Sequence, residues 1–356
     1  MTPTSTPPTS VCILRLSALG DVCHTVPLLR ALQDALPGTR LGWIIDRSCH
    51  ALVSRIDGVD FIVHDKRAGL RGLLALRRQL AGRHFDALLA TQRSARANLV
   101  AAMVRAGRKV GYDRQRAREG HGLVTNARIH PGGADQHAMD CILSFLEPLG
   151  LPVPARPRWD FPLDDADRAW AREQIPDADR CLVISPASSF AQRNWRAEHY
   201  AQVADHAARR LGLRVLLCGG PGPIERRLGN DILRSMNEPA TDLIGRDTLH
   251  RFLALLARAT LVLTPDSGPA HMATAMGAPV LGLYAATDCR RSGPYHSRDL
   301  CVNAFPEAAR QYTGRDPESL RWGRHLHVHG VMDLVRPEAV IERLEAFAAS
   351  GASGRS

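Results

Sequence analysis

Three short segments of this 356-residue chain carry residues whose types and spacing suit ligand chemistry. The first is Ser17-Ala-Leu-Gly20-Asp21, where Gly20 permits a tight strand-to-helix turn and Asp21 falls on the first helical turn. A carboxylate there lies at the end of a strand, where ligands bind in open α/β sheets. Asp is also a good helix N-cap, and spacing alone leaves both readings open. The second is Ser185-Pro-Ala-Ser188-Ser189, running on to Arg193-Asn-Trp195. Its hydroxyls can donate to phosphate oxygens and Arg193 offers a fixed fork of donors for a diphosphate, although an ordinary polar loop has the same composition. The third and most specific is Thr264-Pro-Asp266-Ser267-Gly268-Pro-Ala-His271. Gly268 lets the backbone approach a ligand, the helix it opens presents free N–H groups that favour phosphate, and His271 on the first turns can reach the same anion.

Such turns work only if a scaffold holds them at strand ends, and the sequence predicts one. Val11–Ser17 is an apolar run suited to a buried parallel strand, followed by a helix with Val22, Val26, Leu29 and Leu32 on one face. Further strands are expected at 41–45, 61–63, 87–90 and 110–112, with helices at 69–82, 95–106 and 138–149. Three prolines within Leu151–Pro157 place a linker there. A second series follows: strands at 181–185, 214–218, 242–244, 261–263 and 280–284 alternate with helices at 197–211, 223–236, 248–258 and from 268. A helix over 336–349 closes the chain. Strands alternating with helices imply an α/β fold of two Rossmann-like, doubly wound domains. The expected division is a disordered lead over 1–10, an N-terminal domain over 11–155, a C-terminal domain over 156–335, and a helix and tail over 336–356.

Composition narrows the function classes. No run of 18 apolar residues is present, and the Thr/Pro/Ser-rich start lacks the basic and apolar regions of a signal peptide, so a cytoplasmic location is expected. The eight cysteines are dispersed without a Cys-x-x-Cys pair and read as buried thiols. Gly-x-Gly-x-x-Gly is missing, which removes support for a dinucleotide-dependent dehydrogenase. The net charge is +10, and residues 60–128 hold 15 Lys/Arg against 5 Asp/Glu, so 15 − 5 = +10 and this stretch carries the entire excess. It faces either nothing in particular or something anionic; without interleaved aromatics or nucleic-acid motifs, an anionic lipid-linked acceptor fits better than nucleic acid.

Arg15-Leu-Ser-Ala-Leu-Gly-Asp21-Val and Thr264-Pro-Asp266-Ser-Gly-Pro-Ala-His271-Met-Ala, in that order, resemble the bacterial ADP-heptose:lipopolysaccharide heptosyltransferases, glycosyltransferases of family 9. The similarity runs over roughly residues 11–347 and includes Gly111-Tyr-Asp and Ala117-Arg118-Glu119. The pair of motifs is specific where either alone is not. The resemblance implies a GT-B fold with an interdomain cleft, the acceptor bound mainly by the N-terminal domain and the donor by the C-terminal one. It implies inversion at the anomeric carbon without metal or cofactor.

Carried over by position, Asp21 resembles the family's general base, and Arg193 stands where relatives carry a cation beside the donor phosphates. Ser188, Ser189, Asp266, Ser267, Gly268 and His271 match nucleotide-binding turns, and Glu225 resembles an acidic position that contacts the nucleoside. Asp266 would be repelled by a diphosphate, so it suits sugar hydroxyls or the orienting of donors. On the acceptor side Arg118 matches a basic position, with Ser17, Lys66, Arg67 and Arg93 as further candidates. The implied partners are a nucleotide sugar, ADP-heptose foremost, an anionic lipid-linked glycan such as an inner-core Kdo or heptose, and the cytoplasmic face of the inner membrane, touched peripherally.

Two other patterns suggest metal chemistry and are read otherwise. His325-Leu-His327-Val-His329 alternates as a strand would, placing three imidazoles on one face, but no Cys or carboxylate partner is near in sequence. Asp164-Asp-Ala-Asp167 opens a helix and suits capping. Two other functions stay open: a transferase or epimerase using a UDP-sugar, and a basic polyanion- or membrane-binding protein on a degenerate transferase scaffold.

Overall fold

In the computed structural model the two apolar strand series form two separate parallel sheets, and the structure describes residues 7–133, 135–177 and 179–351. The chain divides into two units, Met1–Pro162 and Leu163–Ser356.

The first unit runs β1 (Ser10–Leu14), α1 (Leu19–Ala35), β2 (Arg40–Asp46), α2 (Arg47–Val53), β3 (Asp60–His64) and α3 (Gly69–Leu80). It continues with β4 (Phe85–Ala90), α4 (Ala95–Met103), β5 (Ala106–Gly111), β6 (Ala127–Arg128) and α5 (Ala138–Leu143). Its strand order is β3-β2-β1-β4-β5-β6. Every residue of β1 is buried, as an apolar run must be when helices cover both faces of a central strand. Of the expected lead, Met1–Thr6 lie outside the described residues; Thr9 and Ser10 donate their N–H groups to Asp86.

The second unit runs α6 (Asp165–Gln174), β7 (Cys181–Ile184), α7 (Ala197–Leu211), β8 (Arg214–Leu217), α8 (Pro223–Ser235), β9 (Ala240–Asp242) and α9 (Leu249–Leu256). Then come β10 (Leu261–Pro265), α10 (Gly268–Ala275), β11 (Val280–Tyr284), α11 (Cys289–Ser292), β12 (Val302–Asn303), α12 (Phe305–Thr313) and α13 (Pro337–Ala349). The order β12-β11-β10-β7-β8-β9 is the first sheet's order over again. Both are the dinucleotide-fold order, whose reversal point lies between β1 and β4 in one unit and between β7 and β10 in the other. Val340, Leu344 and Phe347, at helical spacing, seat α13 in the second unit's core.

Departures from the sequence-based expectations have local causes. The helix expected over 138–149 stays α-helical only to Leu143 and tightens to a 3-10 helix over Ser144–Leu149. Pro148 has no N–H for the carbonyl four residues back and its ring would strike it. The strand expected at 242–244 ends at Asp242, whose carboxylate accepts from the Ile244 N–H and turns the chain. Asp164 caps α6 in a reciprocal box with Asp167. All eight cysteines are buried thiols outside any disulfide. Among the described residues no helix is long and apolar enough to cross a membrane.

Candidate active site

In open α/β sheets ligands bind beyond the carboxyl ends of strands at the reversal point. The three polar turns lie there. Ser17–Asp21 follows β1, Ser185–Arg193 follows β7, and Asp266–His271 follows β10.

In the first unit, Asp21 occupies the third position of α1 and is not its N-cap; one carboxylate oxygen accepts from the Ala18 N–H at 3.4 Å. The same oxygen lies 3.4 Å from the guanidinium of Arg15, which is almost wholly buried, while the Asp21 side chain is 43% exposed. A carboxylate held at its base and open at its tip can reach a substrate hydroxyl. The backbone leading to it is fixed across the reversal point: the side-chain amide oxygen of Gln92, beyond β4, accepts from the N–H groups of Leu16 and Ser17.

Beside this turn is a cavity of about 380 Å³, lined by Ser17, Asp46, Lys66, Gln92, Arg96 and Glu119 among others. Its two acids are engaged by the chain itself. Asp46 caps α2 through Ser48 and accepts from the Lys66 N–H, with the Lys66 ammonium 3.8 Å away. Burial raises the Asp46 carboxyl, but these hydrogen bonds and Lys66 outweigh it and hold the group below its ordinary range. Glu119, at φ 51°, accepts from the Ala95 N–H at the start of α4. Its loop is pinned by Asn98, which donates to the carbonyls of Arg118 and Glu119 and is itself held by buried His121. Lys66 and Arg96 are the lining's two cations.

Of the acceptor-side candidates, Ser17 and Lys66 therefore share this cavity. Arg67 is exposed on the turn before α3, and Arg118 is half-buried in the Glu119 loop. Arg93 is turned to structure: it lies 5.1 Å over the Tyr112 ring and donates to the Arg116 carbonyl. Asp46, Gln92, Arg96 and Glu119 were not candidates from sequence. Asp46 ends β2, Gln92 and Arg96 follow β4, and Glu119 follows β5, so only the strand order reveals that they meet.

In the second unit, Arg193 is clamped. One terminal nitrogen donates to the Asp266 main-chain carbonyl at 3.3 Å and sits 3.2 Å from its carboxylate, and the guanidinium lies 4.7 Å over the Phe190 ring. The other terminal nitrogen donates to His325 Nδ1 at 3.1 Å. Asp266 is 5% exposed and also accepts from Thr287 at 2.7 Å and Ser292 at 3.4 Å. Burial alone would raise its carboxyl; Arg193, then His271 and Arg291, outweigh that and keep it low. Asp266 thus spends its charge on positioning Arg193. Ser267 stands at the N-cap of α10, but its hydroxyl pairs with Thr264 at 2.9 Å and caps nothing. The helix N-terminus at Gly268 is left without a side-chain cap. Ser188 is buried in the turn, its N–H given to Asn194, and Ser189 is exposed. Glu225 packs over the Gly219–Gly222 turn, where a Cβ on Gly222 would come 2.3 Å from its carboxylate.

His325 belongs to this cluster. In place of an alternating strand, 325–328 is irregular chain in which Leu326 enters the core, and His329 lies in a turn. The imidazoles do not converge: His325 and His327 are 5.9 Å apart, and His329 lines a separate cavity near α8. Burial, then the flanking guanidiniums of Arg291 and Arg193, push His325 down to about 4, so it is neutral at pH 7 and accepts from Arg193. In the unfolded chain the same group titrates near 6.5, so protonation favours unfolding as pH falls from 6.5 toward 4. His325→Gln is expected to flatten the loss of stability across that window, measured as urea midpoints from pH 7 to pH 4. An unchanged slope would overturn the assignment.

Two doubly wound sheets with polar turns at both reversal points make this a GT-B fold. The sequence model of glycosyltransferase family 9 (heptosyltransferase) matches residues 73–318. The chain belongs to that family. It is 36% identical over 338 residues to the lipopolysaccharide core heptosyltransferase OpsX of Haemophilus influenzae, covering 95% of this chain and 96% of that one. The solved family 9 glycosyltransferase of Veillonella parvula superposes with a TM-score of 0.76 at 21% identity, over 96% of this chain and 97% of that one. Escherichia coli heptosyltransferase WaaC with ADP gives 0.70 at 22%, over 95% and 99%. At these identities the two structures speak to the fold.

Proposed function

We propose that this glycosyltransferase moves heptose from ADP-heptose, with inversion and without a metal ion, to an inner-core Kdo or heptose of an anionic lipid-linked glycan at the cytoplasmic face of the inner membrane. The observation that carries the reading is the 36% identity, end to end, with a lipopolysaccharide core heptosyltransferase. Residues 11–155 bind the acceptor and residues 156–335 the donor.

Asp21 takes the proton from the acceptor hydroxyl as its oxygen attacks the anomeric carbon from the face opposite the diphosphate. The bond from that carbon to the β-phosphate oxygen breaks, and ADP leaves with the electron pair. Arg193 meets the developing negative charge together with the uncapped start of α10, and its clamp means little reorganisation is needed at that moment. Ser188, Ser189, Ser267 and His271 flank the nucleotide, and Glu225 contacts the nucleoside. Ser17, Lys66, Arg67 and Arg118 take the acceptor's anionic groups, with Arg96 added from the cavity and Arg93 supporting the Tyr112 wall.

The test is turnover by purified protein of a panel of ADP-, GDP- and UDP-sugars on a Kdo-bearing acceptor, with and without EDTA. ADP-heptose is expected to be preferred, with full activity in EDTA and an inverted product by NMR. Preference for a UDP- or GDP-sugar, or a retained anomeric configuration, would overturn the proposal.

A further inference from the structure

We propose that the outer face of α3, extended by Leu99 of α4, is a docking surface for an anionic lipid bilayer. Leu70 and Leu74 are 79% and 55% exposed, and Leu99 is 50% exposed. Isolated surface leucines need no explanation, but these are ordered among cations. The helical period puts Leu70, Arg71, Leu74, Arg77 and Arg78 on one side of α3, with Arg67 on the turn just before it. The opposite side, Leu76 and Leu80, enters the core together with Ala97 and Val100 of the neighbouring α4. The outer face is therefore not needed for folding.

Charge selects the occupant. Lys66–Gly82 holds five Lys/Arg and no Asp or Glu, and Gln92–Tyr112 holds five more, again with no acid. Leucines flanked by arginines match the boundary between acyl chains and anionic headgroups, where the apolar side chains enter and the guanidiniums stay with phosphate. A nucleic acid would want aromatic platforms, which α3 lacks. The surface also adjoins the cavity: Lys66 precedes α3 and Arg96 lies on α4, and both line it. A glycan anchored in the bilayer would reach the cavity from the lipid side, a step that rests on the acceptor reading above.

The test uses co-flotation of the full chain with vesicles of phosphatidylethanolamine containing a quarter phosphatidylglycerol, beside pure phosphatidylcholine vesicles. The wild type is expected to float with the anionic vesicles only and to be released by salt. Leu70→Gln/Leu74→Gln is expected to weaken binding about tenfold. Arg71→Gln/Arg77→Gln/Arg78→Gln is expected to weaken it about a hundredfold, at roughly fivefold per cation. Both variants should keep wild-type circular dichroism and wild-type turnover of a water-soluble, delipidated acceptor. Absence of vesicle binding by the wild type, equal binding by both variants, or a dimer that the leucine variant dissociates would overturn the proposal. Turnover of the soluble acceptor without vesicle binding would sink it and leave the proposed function standing.

Discussion

Asp21→Asn is expected to lower kcat by about 10²-fold to 10⁴-fold, the range a positioned general base supplies. Asparagine has nearly the same shape, and its side-chain oxygen can still accept from the Ala18 N–H as the carboxylate does at 3.4 Å. The proposed donor site lies in other residues, so KM for the nucleotide sugar should stay within about twofold while kcat and kcat/KM fall together. Stability should fall by no more than about 2 kcal/mol. The Asp21–Arg15 pair is half open to solvent, and such pairs contribute about 0–1 kcal/mol after screening. The cost rises toward about 2 kcal/mol because Arg15 itself is buried and loses its partner. Steady-state kinetics beside a urea titration separates the two effects. A variant that keeps a tenth of wild-type kcat, or that loses activity only in proportion to unfolded protein, would remove Asp21 from the role of base.

Legibility from sequence followed burial geometry. Central parallel strands are apolar on both faces, so β1 and β11 stood out as short continuous runs, and α7 was readable to its ends from a 3.6-residue pattern closed by Gly212. The seven-residue α2 is too short to show a period and was not foreseen; α12 does bury Phe305, Ala308 and Ala309 at helical spacing and was passed over. The turns holding Asp21 and Asp266 were readable because a strand end, a glycine and a helix start fall together, and the one holding Arg193 because hydroxyl residues follow a strand. Their partners were not. Gln92 reaches Leu16 only because β4 lies beside β1, and His325 reaches Arg193 across more than a hundred residues. An alternating trio of histidines suggested a strand face, whereas Leu326 and Val328 are what the alternation serves, anchoring the segment so that His325 meets the arginine.

Asp266→Asn is expected to produce the largest loss of stability of any single change at the site, about 3–5 kcal/mol, because it strands a cation beside a buried neutral group. Arg193 is 13% exposed at its side chain and His325, its other partner, is neutral, so nothing nearby replaces the lost charge. Thr287 and Ser292 can still donate to the asparagine oxygen, which keeps the loss toward the lower end. The pH dependence gives an independent sign. Arg193 and its neighbours hold the folded carboxyl below the ordinary value of 3.8, so the contribution is complete above about pH 4 and is lost as pH falls through the folded value. The variant should therefore be less stable than wild type at pH 7, and the gap should close as both are acidified below pH 4. Activity should fall with it even at temperatures where the variant is folded, since in the proposed mechanism Arg193 must be held in place to meet the departing diphosphate. A gap that stays constant down to pH 2, or a variant as stable as wild type at pH 7, would show that Arg193 is positioned by something other than Asp266.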